Sequence, residues 1–465
     1  MKLTTPQIVW HSKEPVFSAD FHHSGELWRL ATGGADKDIK IWKVVREEGG
    51  KVKIVFMSSL SRHSGSVNVV RFSPNGELLA SAGDDNVVCL WRLGEGGGAS
   101  SNIATDTTLV NKETWNVTKM LRGHVEDIYD ACWSASSSYL VTGSVDNTAI
   151  IWDISKGQSL CTLADSKQYV QGVAWDPIGQ YLATLSNDRY LRVYAVEQKF
   201  KCVHSVSKMT VPENQEKGGG AGRQFRMWID ESLSFFFRRL TFSPDGNLLV
   251  VPAGRYENGE KTTNMTYIFT KSNLAKPAVC LPCPEKATVV VKFCPKLFKL
   301  RGDASEHHKS LFSLPYRMVY AVASLDAVLL YDTQQTTPFA YLSNIHYSGI
   351  TDLAWSEDGL VLVITSSDAY CSIVTFEPTE LGVVMATEDL PQSMKKSNAV
   401  SETKKNGITL LKSPVESGTK SAGNGDAIEE GKVNETEAST EPGRATENLE
   451  MSRLMGVTVR EGGGR

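Results

Sequence analysis

The sequence predicts an all-β chain: a seven-bladed β-propeller over residues 1–376, followed by a disordered tail over 377–465. Three observations carry that expectation. A set of His, Ser or Thr, Asp and Trp recurs at fixed spacing. Short alternating apolar runs, split by Pro-Asn-Gly, Pro-Asp-Gly and Glu-Asp-Gly, read as strands joined by hairpins. The chain is also uneven: of its Trp 10, Tyr 14 and Phe 16, the last ring is Phe376. A segment so poor in large apolar groups cannot offset its ordering entropy.

The copies follow in order. The first runs from His11 through Thr32 and Asp36 to Trp42. The second holds His63, Ser81, Asp85 and Trp91, and the third His124, Thr142, Asp146 and Trp152. In the second and third, His precedes Asp by 22 residues, and in all three Asp precedes Trp by six. The fourth drifts, with Ser166 at the His position, Thr184 four before Asp188, and Tyr194 at the Trp position. The fifth begins at Phe235, carries Phe242-Ser-Pro-Asp-Gly246 and reaches Tyr267-Ile-Phe269 after a long turn. The sixth runs from Val289 to Tyr331-Asp332. The seventh keeps His346, Trp355 and Asp368 but has Ile364 and Val374 where Thr and Trp would sit. Blades therefore end near 42, 91, 152, 194, 269, 331 and 376. Each copy averages about 54 residues, more than the 40–45 of a typical four-stranded blade. The excess is expected in polar insertions at 94–116, 212–224, 254–264 and 301–309. One blade cannot bury both its faces alone, whereas seven stacked radially bury them against each other.

This pattern resembles the WD40 family over nearly all of residues 1–376. The resemblance implies that loop His, turn Asp, strand hydroxyl and indole N–H form a buried hydrogen-bond chain in each blade, which satisfies polar groups and fixes the turn. The same residues superficially match a catalytic triad. A nucleophile site would not recur three times in one chain, so a non-enzymatic protein is expected. WD40 rings usually close by borrowing an outer strand from the far terminus, and residues 5–10 are placed to complete the blade ending at Phe376.

Composition excludes several other classes. The formal net charge of −4 falls entirely on 377–465, and residues 1–376 balance acids against bases. No strong single-sign field is available to hold DNA directly. No apolar run approaches the roughly 18 residues of a membrane span, and the start of the chain lacks a secretory apolar stretch. Eight scattered cysteines fit a reducing cytosolic or nuclear setting. Cys280, Cys283 and Cys294 are three thiols where a closed zinc site needs four ligands, so no metal is expected. Gly96–Gly98 and Gly218–Gly220 lack the Lys-Ser/Thr of a phosphate cradle, and no cofactor is expected.

The less repetitive segments are more telling. They include Arg226-Met-Trp-Ile-Asp-Glu-Ser232, Ser234-Phe-Phe-Phe-Arg-Arg-Leu240, Leu281-Pro-Cys-Pro-Glu-Lys-Ala-Thr288, Ser313-Leu-Pro-Tyr-Arg317 and Ser343-Asn-Ile-His-Tyr347. With Trp10-His-Ser-Lys-Glu-Pro15 and Arg62-His63, they resemble the middle, propeller subunit of chromatin assembly factor one, in its plant Fasciata-type form, over residues 1–376. The resemblance implies a nuclear histone chaperone that delivers newly made histones three and four to DNA at replication and repair. Its middle subunit is a scaffold between the large and small subunits, with histones contacted directly or through them. A charge-neutral ring cannot screen basic histones, so the long acidic tracts are expected on a partner.

Four sets of residues are candidates for contact. Glu126 and Asp127, with Asp130, face either a basic partner or solvent. Phe235–Phe237 with Arg238 and Arg239 read as the start of a strand with core-facing rings, or as a partner groove. In the tail, Lys404 and Lys405 precede Ile408, Thr409, Leu410 and Leu411. Relatives carry a basic pair and a short β-forming segment that adds a strand to the anti-silencing histone chaperone, an interaction that needs only an extended alternating segment. Here Asn406-Gly407 interrupts the two, so a hydrophobic blip stands beside that reading. Ser413-Pro414 follows and is a candidate proline-directed modification site. A rival class is the substrate receptor of a cullin-type ubiquitin ligase; such propellers carry Trp-Asp-x-Arg, whereas Trp152-Asp153-Ile154 is followed by Ser155.

Overall fold

The computed structural model describes residues 1–395, apart from 25–26, 48–49, 95–109, 212–222, 231, 234, 259–260, 284, 303–309 and 392–393. All of these lie in one compact unit, Met1–Ile408. Seven four-stranded antiparallel sheets are arranged as blades. Their inner strands are Val16–Ser24, Val67–Phe72, Ile128–Trp133, Val170–Trp175, Thr241–Phe242, Thr288–Phe298 and Ile350–Trp355. Each inner strand packs beside the next, and the seventh returns to the first. Each blade is thus a short meander that cannot cover its own two faces. The core accordingly lies between blades: Trp10, Trp42 and Val44 of the first share a cluster with Val361, Val363 and Ile373 of the seventh.

The Trp of each motif lies in the third strand, as Trp42 does in Asp38–Arg46, and a fourth, more exposed strand follows, here Val52–Ser61. The turn glycines are local necessities. Gly246 of Pro-Asp-Gly has φ +73, and a β-carbon there would lie 2.6 Å from an Asp176 carboxylate oxygen.

Three expectations need correction. The closing strand is Lys2–Thr4, paired Lys2↔Thr375 to Thr4↔Ile373, and not residues 5–10. Within 5–10, Trp10 is instead fully buried and meets Trp42 edge-on at 4.9 Å, so its indole packs into the core where a ladder strand was expected. Folded chain also continues past Phe376. Met385 N–H donates to Leu297 O at 2.8 Å, Lys299 N–H donates to Val383 O at 2.8 Å, and Leu381 is buried among the sixth- and seventh-blade side chains. Aliphatic Leu381, Met385 and Leu390 supply the apolar area that rings supply elsewhere, which is why a count of aromatics misplaces the boundary. Finally, the 254–264 insertion is mostly strand: Leu248–Asn258 and Lys261–Thr270 stay paired out to Asn258↔Lys261. A hairpin of Lys208–Val211 and Arg223–Arg226 packs on it through Phe225 and Tyr256, whose rings are 5.0 Å apart.

Candidate functional site

The repeated polar groups come together inside each blade. His11 Nδ1 lies 2.6 Å from Asp36, His11 Nε2 2.8 Å from Thr32 Oγ1, and Trp42 Nε1 donates to that oxygen at 2.9 Å. In the second blade His63 stands 2.9 Å from Asp85 and 2.7 Å from Ser81, with Trp91 donating at 2.8 Å. In the third His124 stands 2.8 Å from both Asp146 and Thr142, with Trp152 donating at 2.9 Å. Burial alone would raise the carboxyls of Asp36, Asp85 and Asp146, but hydrogen bonds from the imidazoles hold all three below the usual carboxylate range. The hydroxyls of Thr32, Ser81 and Thr142 are buried and already partnered, which is the arrangement of a strut.

The drifted copies solve the same problem differently. In the fourth blade Arg192 takes the place of the missing imidazole: it reaches Asp188 at 2.6 Å, Ser186 at 2.8 Å and Ser166 at 3.3 Å. Sequence reasoning missed Arg192; the signal was an Asp188 left without its His. In the seventh, His346 Nδ1 meets Asp368 at 3.0 Å, but Nε2 has no partner because Ile364 and Val374 replace the hydroxyl and the indole. Burial pushes this imidazole below its ordinary value despite Asp368.

The ring axis carries a second constellation that spacing does not reveal. Inner strands contribute Asp20, Arg71, Asp130, Lys292 and Asp352, and Arg239, which precedes Thr241–Phe242, joins them. Asp352 lies 2.7 Å from Arg71 and 2.7 Å from Arg239, and Ser18 Oγ donates to it at 2.8 Å. Arg239 also donates to the carbonyls of Asn68 (2.6 Å), Phe17 (3.1 Å) and Thr351 (3.1 Å). Burial would raise Asp352, but Arg239, Arg71 and Lys292 hold it well below the carboxylate range. Burial dominates at Asp20 and Asp130 and raises both. Asp130 ties in the fourth blade by accepting Val173 N–H at 3.0 Å. A β-carbon on the neighbouring Gly172 would lie 1.9 Å from Arg238 O, so glycine is what lets the two chains meet.

Above this cluster Phe237 lies flat on the Arg239 guanidinium, 4.1 Å away, within reach of the rings of Phe17, Tyr129, Phe235 and Phe236. Arg238 donates to Ile229 O at 2.6 Å and Asn187 Oδ1 at 2.9 Å, and burial pushes it down to about 10. Arg238 and Arg239 are 0% and 1% exposed, which corrects their candidacy for partner contact: both cations are occupied by carbonyls and carboxylates of this chain. Glu126 is exposed and Asp127 partly so, beside Val125 and Tyr129. Lys404, Lys405, Ile408, Thr409, Leu410 and Ser413 lie outside the described residues. Cys280 and Cys283 stand on the outer strand of the fifth blade and Cys294 on the inner strand of the sixth. Burial pushes these thiols up to about 11, about 11 and about 12. Ser155 Oγ donates to Asp153 at 2.6 Å and closes the turn after the third strand.

Comparison with known proteins gives the family. The family model of the CAF1B/HIR1 beta-propeller domain matches residues 1–381. The type-B subunit of chromatin assembly factor 1 from Gallus gallus is 49% identical over 418 residues, 87% of this chain and 72% of the relative. Its counterpart from Mus musculus is 50% identical over 394 residues, 82% of this chain and 68% of the relative. The chromatin assembly factor 1 subunit FAS2 homolog of Oryza sativa subsp. japonica is 42% identical, covering 82% and 74%.

Proposed function

This chain belongs to the CAF1B/HIR1 beta-propeller family, and on that premise we propose that it is the non-catalytic scaffold subunit of a nuclear histone chaperone complex. That complex deposits newly made histones three and four on DNA during replication and repair. The observation that carries this reading is the likeness to the type-B subunits of chromatin assembly factor 1 over more than four fifths of the chain. The charge distribution agrees with it. A ring whose charges balance offers shape and strand edges, and screening of the basic histones falls to acidic tracts on the large subunit. The large and small subunits are the stable partners. Lys404, Lys405 and the Ile408–Leu410 segment add a strand to the anti-silencing histone chaperone.

The test is nucleosome assembly by the complex reconstituted with and without this chain. Omitting it is expected to abolish replication-coupled deposition and to leave the large subunit able to bind histones. Deposition at an unchanged rate without this chain overturns the proposal, as does recovery of a cullin adaptor in place of the large subunit.

A further inference from the structure

The face of the ring that carries the loops into the inner strands also carries the turns between second and third strands, because antiparallel meanders return there. Between the second and fifth blades this face holds an apolar patch. Val125 is 72% exposed and Phe236 55% exposed. Phe236 stacks at 5.7 Å on Tyr129, and Gln171 Nε2 donates to Phe235 O at 3.1 Å and to Phe236 O at 3.2 Å. Asn86 Nδ2 donates to Val125 O at 2.9 Å. The patch is therefore held in place from three blades and is not a loose loop.

Its border is acidic and uncompensated. Asp84 is exposed and accepts a hydrogen bond from Asn68 at 2.6 Å. Burial, Asp84 and Glu126 all raise the carboxyl of Asp127, and no cation opposes them. Among the described residues no lysine or arginine is in ion-pair contact with Asp84, Glu126 or Asp127. Three carboxylates without a cation, beside two exposed apolar side chains and a phenol, fit one chemistry: a strand of alternating cations and small apolar groups. Ammonium and guanidinium heads pair with the carboxylates or lie over the rings, and an aliphatic side chain covers Val125 and Phe236.

We propose that this patch docks an extended lysine- and arginine-rich segment of a histone partner, with Asp84, Glu126 and Asp127 taking the cations and Phe236, Tyr129 and Val125 the apolar anchor. The proposal rests on the histone-chaperone reading for the identity of the partner, not for the chemistry. The axial cluster is not part of the surface, since Phe237 and Arg239 seal it.

The experiment is a fluorescence-anisotropy titration of the full chain with a short labelled peptide of Lys, Arg and Ala carrying one Leu. Wild type is expected to bind it, and more weakly as salt rises. The double substitution Glu126→Gln/Asp127→Asn and the single substitution Phe236→Ser should each loosen binding about fivefold. Glu197→Gln, in the turn after Tyr190–Ala195 on the opposite face, should leave it unchanged. All of these side chains are exposed or partly so, and unchanged melting confirms that each variant folds. Equal affinity of wild type and both patch variants overturns the proposal. So does a peptide spanning residues 401–415 that competes at equal or lower concentration, because the occupant is then this chain's own tail. Nucleosome assembly separates the two readings. A complex that assembles nucleosomes but shows no variant effect on peptide binding refutes the patch alone. One that fails to assemble while the patch variants still lose the peptide refutes the histone assignment and supports the basic-peptide site.

Discussion

Replacing Arg239 by Met keeps most of the side-chain length and removes the charge at the ring axis. The change strips Asp352 of a partner at 2.7 Å and leaves the carbonyls of Asn68, Phe17 and Thr351 without their donor. It also removes the cation under Phe237. Taking one partner from a buried, hydrogen-bonded ion pair costs about 3–5 kcal/mol. For a ring of roughly 390 residues, an unfolding entropy of about 2.1 cal/mol/K per residue gives about 0.8 kcal/mol/K. The melting temperature should therefore fall by about 4–6 °C, read by circular dichroism or scanning fluorimetry. A double variant, Arg239→Met with Asp352→Leu, should lose less than the two single changes summed, because the second removes the charge the first orphaned. An Arg239→Met protein that melts within about 1 °C of wild type, or a cycle that is strictly additive, refutes the axial reading.

The other predictions bear on the struts, the tail and the closure. Asp146→Ala removes the acceptor for His124, Val125 N–H and Thr148 and should cost about 2–4 kcal/mol; lost nucleosome assembly with unchanged melting would contradict a purely structural role. His346 is held below its ordinary value, so the unfolded chain takes up its proton first. Stability should then fall as pH drops through about 6.5 and level off below the folded value, and His346→Asn should remove that component from a pH series of melts. Asp36, Asp85 and Asp188 are depressed carboxyls, and their contributions should be present above about pH 4 and disappear on further acidification. Deleting residues 404–412 should weaken binding of the anti-silencing chaperone and leave assembly with the large subunit intact; an unchanged titration would sink the strand-addition proposal. Removing residues 1–4 should cost about 1–2 kcal/mol, since Lys2–Thr4 is a three-residue exposed strand, whereas Trp10→Ala should cost about 3–5 kcal/mol.

How far the sequence is legible depends on which interactions are local. His, Asp, hydroxyl and indole of one strut lie within a single blade, so a fixed spacing announces them. The long blade-five hairpin is hidden because Arg255, Glu257 and Asn258 look like loop chemistry, yet at the end of an exposed ladder polar residues stay solvated. Arg238 and Arg239 mislead for a related reason. A basic pair after three phenylalanines resembles a surface patch, and only the ring's closure brings Asp352, more than a hundred residues later, within 2.7 Å of Arg239. Trp10 precedes the first motif and so invites a strand assignment, but its burial against Trp42 depends on packing that no period encodes.

The axial cluster also gives the zero net charge of residues 1–376 a physical meaning. Three carboxylates and three cations are taken from six different blades, and the remaining one, the fourth, joins through Val173 N–H on Asp130. No blade contains a set that is satisfied by itself, and burying any one of these charges alone would be strongly unfavourable. The ring therefore gains this interaction only when all the blades are in place, which couples them into one cooperative unit. Phe237 and Arg239 reinforce the coupling by carrying the fifth blade's chain across the axis to the first, second and seventh. A ring that opens only as a whole keeps its loop faces and outer strands at fixed mutual positions, and fixed geometry is what a scaffold between several partners requires. On this view the buried charges serve rigidity. The charge available for recognition is the small unpaired excess at Asp84, Glu126 and Asp127, which the net figure conceals.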